Sequence, residues 1–169
     1  MNKKSNTTYY VIGALVVLAI VLLGYNNFST WFQPDAADNG AGGERVPCIN
    51  PALPIPPQYH IHPQLKLVID GKETPVPANI GLSVVGCERA IHTHDVSGEI
   101  HIEPNYYQAF TLGDFFSVWQ QPFDQTHILN KAADADHQVI MTVDGQPNTE
   151  FGNLILKDKQ QIVIEYKKT

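Results

Sequence analysis

The stretch Ile91-His92-Thr93-His94-Asp95-Val96-Ser97-Gly98-Glu99-Ile100-His101-Ile102-Glu103 most constrains what this chain can fold into. Two arms that alternate apolar and polar residues flank a run of turn formers, Asp95 to Gly98, which is the pattern of an antiparallel β-hairpin. A loop at those residues sets His94 opposite Glu99, Thr93 opposite Ile100, His92 opposite His101 and Ile91 opposite Ile102. Alternate residues of a strand point to opposite faces. Ile91, Thr93, Ile100 and Ile102 therefore share one face, and His92, His94, Glu99, His101 and Glu103 share the other. Directly opposed Cβ atoms are roughly 5 Å apart, so the polar groups converge. The expectation is that the first face buries and the second binds, with the histidines outside the core.

Tyr59-His60-Ile61-His62 repeats the pattern upstream, with His60 and His62 on one face of a short strand. Scattered surface histidine is the usual reading of a lone imidazole. Clustering on one face is instead what chelation needs, since neutral imidazole is the commonest metal ligand among side chains. The candidate ligands are His60, His62, His92, His94 and His101, and Glu99 and Glu103 are the candidate general bases. No activated serine or cysteine stands out beside them to suggest metal-free nucleophilic catalysis. His127 and His137, in or beside an irregular stretch from Asp124 to Asp136, are expected to be dispensable.

With 169 residues, 43% of them hydrophobic and 17% charged, the chain accommodates one well-packed domain and an appendage. The appendage is amino-terminal. Residues 1–8 are short and polar with Lys3 and Lys4, and Tyr9 to Tyr25 carries no charge, at the short end of what spans a bilayer. No Ala-x-Ala-like cleavage site follows, which favours a retained anchor over a signal peptide. The two lysines before the segment, with no Lys or Arg after it until Arg45, place residues 1–8 in the cytoplasm and the remainder outside the cell membrane. Residues 26–45 read as a flexible linker of small and polar residues, and residues 46–169 as the extracytoplasmic domain. A net charge of -6 without a basic run argues against a nucleic-acid partner. Cys48 and Cys87 lie in no Cys-x-x-Cys element, which excludes cysteine-rich zinc modules; outside the cytoplasm they can form a disulfide, with two buried thiols as the alternative.

Within the domain, Leu65 to Ile69 and Glu73 to Pro77 flank Asp70-Gly71 as a first hairpin. Thr111 caps a helix in which Leu112, Phe115, Phe116 and Trp119 form an apolar stripe, with Pro122 as its stop. Val139 to Val143 ends at Asp144-Gly145, Phe151 to Leu156 connects, and Gln161 to Tyr166 closes the fold. This order resembles a β-grasp domain, an α+β and mostly antiparallel fold, with the histidine hairpin inserted before the helix. His60-x-His62, His92-Thr93-His94-Asp95 through His101-Ile102-Glu103, and Phe110-Thr111-Leu112-Gly113-Asp114-Phe115-Phe116 also resemble a family of uncharacterised, membrane-anchored prokaryotic domains. That family implies no particular activity. Gly86, His92-x-His94 and Glu99 are similar to the first half of a cupin metal motif, but Tyr106 stands where the motif has glycine and no second half follows. A cupin-like β-barrel is the alternative fold. Multicopper oxidases also use His-x-His pairs, but their His-Cys-His element is absent here.

The functional expectation is a membrane-anchored protein that binds a divalent transition metal, zinc or copper(II), for capture, delivery or as an accessory subunit of a membrane complex. A metalloenzyme with a metal-bound water and a carboxylate base is the second reading, and a structural or interaction domain whose histidines sense pH is the third.

Overall fold

Short alternating segments joined by Asp-Gly turns build most of this domain. The computed structural model describes residues 45–56, 59–82 and 86–169, all of which belong to one unit, Gly40–Thr169. The expected cytoplasmic segment, the anchor over 9–25 and the linker up to residue 44 lie outside the described residues. Among the described residues no helix is long and apolar enough to cross a membrane.

β1 (Gln64–Ile69) turns through Asp70 and Gly71 into β2 (Lys72–Thr74), and β7 (His137–Val143) turns through Asp144 and Gly145 into β8 (Gln146–Asn148). Both central residues of each turn have positive φ, 51° and 76° in the first and 51° and 78° in the second. That backbone suits the twist of a two-residue hairpin and favours Asp-Gly. β9 (Gln161–Lys168) lies between the hairpins, parallel to β1 and antiparallel to β7, giving the strand order β2-β1-β9-β7-β8. The register places Leu67 and Met141 on either side of Ile164, and Leu65 and Val143 on either side of Ile162. These rows form the sheet's share of the core, in which Leu65, Leu67, Met141, Ile162 and Ile164 are all buried. Burying each such side chain contributes roughly 1.5–3 kcal/mol.

The one α-helix among the described residues, α1 (Leu112–Trp119), begins with a complete capping box. The Asp114 amide donates to Thr111 Oγ1 over 3.2 Å, and the Thr111 amide donates to Asp114 Oδ2 over 2.7 Å. Leu112, Phe115 and Phe116 are buried, as the apolar stripe requires. The helix stops before Pro122, because Gln120 takes a left-handed conformation and its amide bonds back to the carbonyls of Phe116 and Ser117.

The region from Asp124 to Asp136 is more ordered than its sequence suggests. β5 (His127–Ile128) and β6 (Lys131–Ala132) pair antiparallel, and the fully buried Ile128 fastens them to the core. Two-residue strands are too short to leave a readable period. A 3₁₀ turn, Phe151–Asn153, occupies the connector before β9. The described residues are thus mostly sheet, with few helices and no closed barrel, which removes the cupin-like alternative.

Candidate metal centre

β3 (Ile91–His92) and β4 (His101–Ile102) stand outside the main sheet as their own two-stranded ladder. Their register is Ile91 beside Ile102 and His92 beside His101, as the turn at Asp95 to Gly98 requires. The Ser97 amide donates to Asp95 Oδ1 over 2.8 Å, an Asx turn whose hydrogen bonds also hold the Asp95 carboxyl below its ordinary pKa. Beyond His92 the arms part. The Thr93 amide donates to the Ile80 carbonyl over 3.0 Å, and the Ile100 amide to that of Pro63 over 2.9 Å.

On its other side, Ile102 exchanges backbone hydrogen bonds with Ile61, of 3.1 and 3.2 Å. Ile61, Ile102 and Ile91 therefore lie abreast, and the residues flanking them project from the opposite face. The antiparallel Ile61–Ile102 bridge brings His60 to Glu103 and His62 to His101, so the two His-x-His elements meet through the hairpin. His60 Nε2 is 2.9 Å from Glu103 Oε1, and the His62 and His101 ring centroids are 4.6 Å apart. A disulfide joins Cys48 to Cys87, which ties the proline-rich entry to the segment preceding β3, where Ala90 and Ile49 hydrogen-bond to Pro47 and Glu88.

Three groups on this face could hold a metal ion, each with one ligand atom per residue and all those atoms within 4.8 Å of one another: His60, His62, His101 and Glu103; His92, His94 and His101; and Glu88, His92 and Glu103. All five expected histidines are therefore brought together. Glu103 belongs to two groups. Glu99 is in none of them, although its Oε1 lies 3.3 Å from His101 Nε2. Glu88 was not legible as a ligand, because only the disulfide and the backbone pairing around it bring it to His92. His127 and His137 lie outside the groups, with Nδ1 of each 3.1 Å from Asp124 and Asp134 respectively.

His92 departs from the two-faced expectation. Its side chain is fully buried, although it projects toward the binding face, with the Arg89 carbonyl and the His94 and His101 rings packed around it. Nδ1 lies 2.9 Å from the Arg89 carbonyl oxygen, which only accepts, so Nδ1 carries the proton of the neutral ring. Burial is the main reason that its pKa is lowered, against weaker opposing contributions from the Arg89 hydrogen bond and nearby carboxylates. A neutral His92 directs its Nε2 lone pair at the Glu88 carboxylate, 3.3 Å away, and at His94 Nε2, 3.2 Å away. Lone pair against carboxylate is unfavourable until a cation lies between them. A backbone carbonyl on the far nitrogen is also the usual means of orienting a ligating imidazole.

Beside this group a hollow of about 380 Å³ is lined by Leu82, Gly86, Cys87, Glu88 and His94. It gives His94 and Glu88 a route to solvent. No family model matches this chain, nor does any curated protein or solved structure.

Proposed function

We propose that this chain is a membrane-anchored, extracytoplasmic protein that binds a divalent transition metal, zinc or copper(II), on a histidine face carried by a β-grasp-like domain. The observation that carries the reading is the convergence of His60, His62, His92, His94 and His101 with Glu88 and Glu103 into groups whose ligand atoms lie within 4.8 Å of one another. An ion that holds nitrogens at about 2.0–2.1 Å in tetrahedral geometry sets them roughly 3.3 Å apart. The spacings of 3.2 Å for His92 to His94 and 3.3 Å for His92 to Glu88 match that value.

The donor chemistry supports this choice of metals. Imidazole and carboxylate suit zinc and copper(II), whereas copper(I) prefers soft sulfur. Both cysteines are consumed in the disulfide, and Met141 is buried in the core. The β-grasp reading is supported by a parallel β1–β9 pair at the centre of a sheet with a hairpin on each side. The uncharged run from Tyr9 to Tyr25 and the paired lysines before it support the anchor and the outward orientation. Resemblance to the family of membrane-anchored prokaryotic domains rests on the same histidine motifs. Metal capture, delivery and service as an accessory subunit of a membrane complex all use this site in the same way. Elemental analysis of the full chain, purified without a histidine tag or added metal, tests the reading: stoichiometric zinc or copper supports it.

The solvent-open hollow beside His94 and Glu88 favours a second reading, in which the metal keeps a position for water and a carboxylate acts as its base. When bound, the metal would supply a water of lowered pKa. His92 and His94 would hold the metal, and Glu88 or Glu103 would accept the proton, with Glu99 one step removed beside His101.

A further inference from the structure

Two of the three ligand groups each contain three histidines, and they share one side chain. His101 belongs with His60, His62 and Glu103 and also with His92 and His94. The two ring nitrogens of His101 face different carboxylates: Nδ1 is 3.3 Å from Glu103 Oε1, and Nε2 is 3.3 Å from Glu99 Oε1. With Nδ1 against Glu103 of the first group, Nε2 is the nitrogen left for the second. A neutral imidazole has one lone pair and can serve only one ion.

We propose that the histidine face holds two divalent ions bridged by the imidazolate of His101, an inference that rests on the metal-binding reading above. His60, His62, Glu103 and His101 Nδ1 hold the first ion. His92 Nε2, His94 and His101 Nε2 hold the second, with the Glu88 carboxylate beside His92. The first ion then has the four protein donors that a closed tetrahedral site takes, and the second has three, the number that leaves one position open. Glu88, His92 and Glu103 also form a group of their own, with His92 from one set and Glu103 from the other, so the two positions adjoin.

Bridging requires the ring to lose its remaining N–H proton, which leaves to solvent as the second ion coordinates. Charge favours this. The imidazolate and the carboxylates of Glu88, Glu99 and Glu103 supply one negative charge for each positive charge on two divalent ions. With a single ion the same carboxylates are in excess.

The test uses copper(II), which nitrogen and oxygen sites bind most tightly among the divalent first-row ions. The full chain is stripped with chelator, loaded with excess copper(II) and dialysed, and copper per chain is counted by elemental analysis beside the spin counted by low-temperature electron paramagnetic resonance. Two coppers per chain are expected, with less than half of them detectable as spin, because an imidazolate couples the pair antiferromagnetically. His101→Ala should return the bound copper to full detectability. His60→Ala changes a half-exposed ring outside the core and guards against a folding defect at position 101. It should leave one tightly held copper with a full signal. One copper per wild-type chain overturns the two-ion centre and leaves the metal-binding reading standing. Two coppers with full signal overturn the bridge. No retained copper overturns the inference and the metal-binding reading together.

Discussion

The rings of His92 and His101 face each other across paired strands, 14° from parallel with centroids 5.4 Å apart, yet the first is fully buried while the second keeps 18% of its side chain exposed. One ring is core and candidate ligand at once; the other is chiefly a candidate ligand. His92→Ala should therefore lower stability by on the order of 2 kcal/mol or more, through a cavity and a lost partner for the Arg89 carbonyl. His94→Ala, at an exposed position, should stay within about 0.5 kcal/mol of wild type. Denaturant unfolding of the metal-free variants checks the contrast.

Ile100 is fully buried, and its amide bonds to the Pro63 carbonyl. Ile100→Ala should cost about 2–5 kcal/mol as a large-to-small core change. The ligands are untouched, so metal stoichiometry at a temperature where the variant is folded should equal that of wild type. A calorimetric melt beside a metal count measures both.

The hairpin turn depends on Gly98, whose φ is +84° and whose added Cβ would run into the Leu65 carbonyl. Gly98→Ala should destabilise by roughly 1–3 kcal/mol and weaken metal binding, since the turn sets the separation of His94 from His101. Gly71 has a comparable φ of +76° but nothing within 4 Å of an added Cβ. Gly71→Ala should cost only the left-handed backbone strain, roughly 1–2 kcal/mol, and leave metal affinity unchanged. Paired unfolding and metal titrations of the two variants separate turn geometry from general strain.

The local features of this fold were legible because they are periodic. The hairpin register of Ile91 with Ile102 and His92 with His101 follows from alternation about four turn residues, and the Thr111 cap and the two Asp-Gly turns follow from residue chemistry. What was not legible is long-range. Nothing in Tyr59 to His62 states that Ile61 pairs with Ile102, although that pairing joins the two histidine elements. Glu88 enters the site through the disulfide and pairing around it, and the depth of His92 is set by packing that strand alternation does not give. A strand's two faces give direction, not depth.

In the metal-free protein, burial lowers the pKa of His92 below its ordinary 6.5. The unfolded chain then binds this proton at higher pH than the folded one. The stability contributed by a neutral His92 is present above the unfolded value and is lost as pH falls through it toward the lowered folded value. Unfolding free energies of metal-free wild type and His92→Asn, compared between about pH 7.5 and 5.5, should show a decline in wild type that is shallower in the variant. Parallel curves would remove the contribution of His92.

The most direct test of the metal-binding account is calorimetric titration of the chelator-stripped full chain with zinc and with copper(II), beside the His92→Ala/His101→Ala double variant and His127→Ala. The account predicts saturable, stoichiometric binding by wild type and by His127→Ala, and a loss of at least tenfold in affinity in the double variant, the lower end of what removing even a supporting partner of a ligand costs, about 10–100-fold. Binding that survives unchanged in the double variant, or that falls as far in His127→Ala, would contradict it.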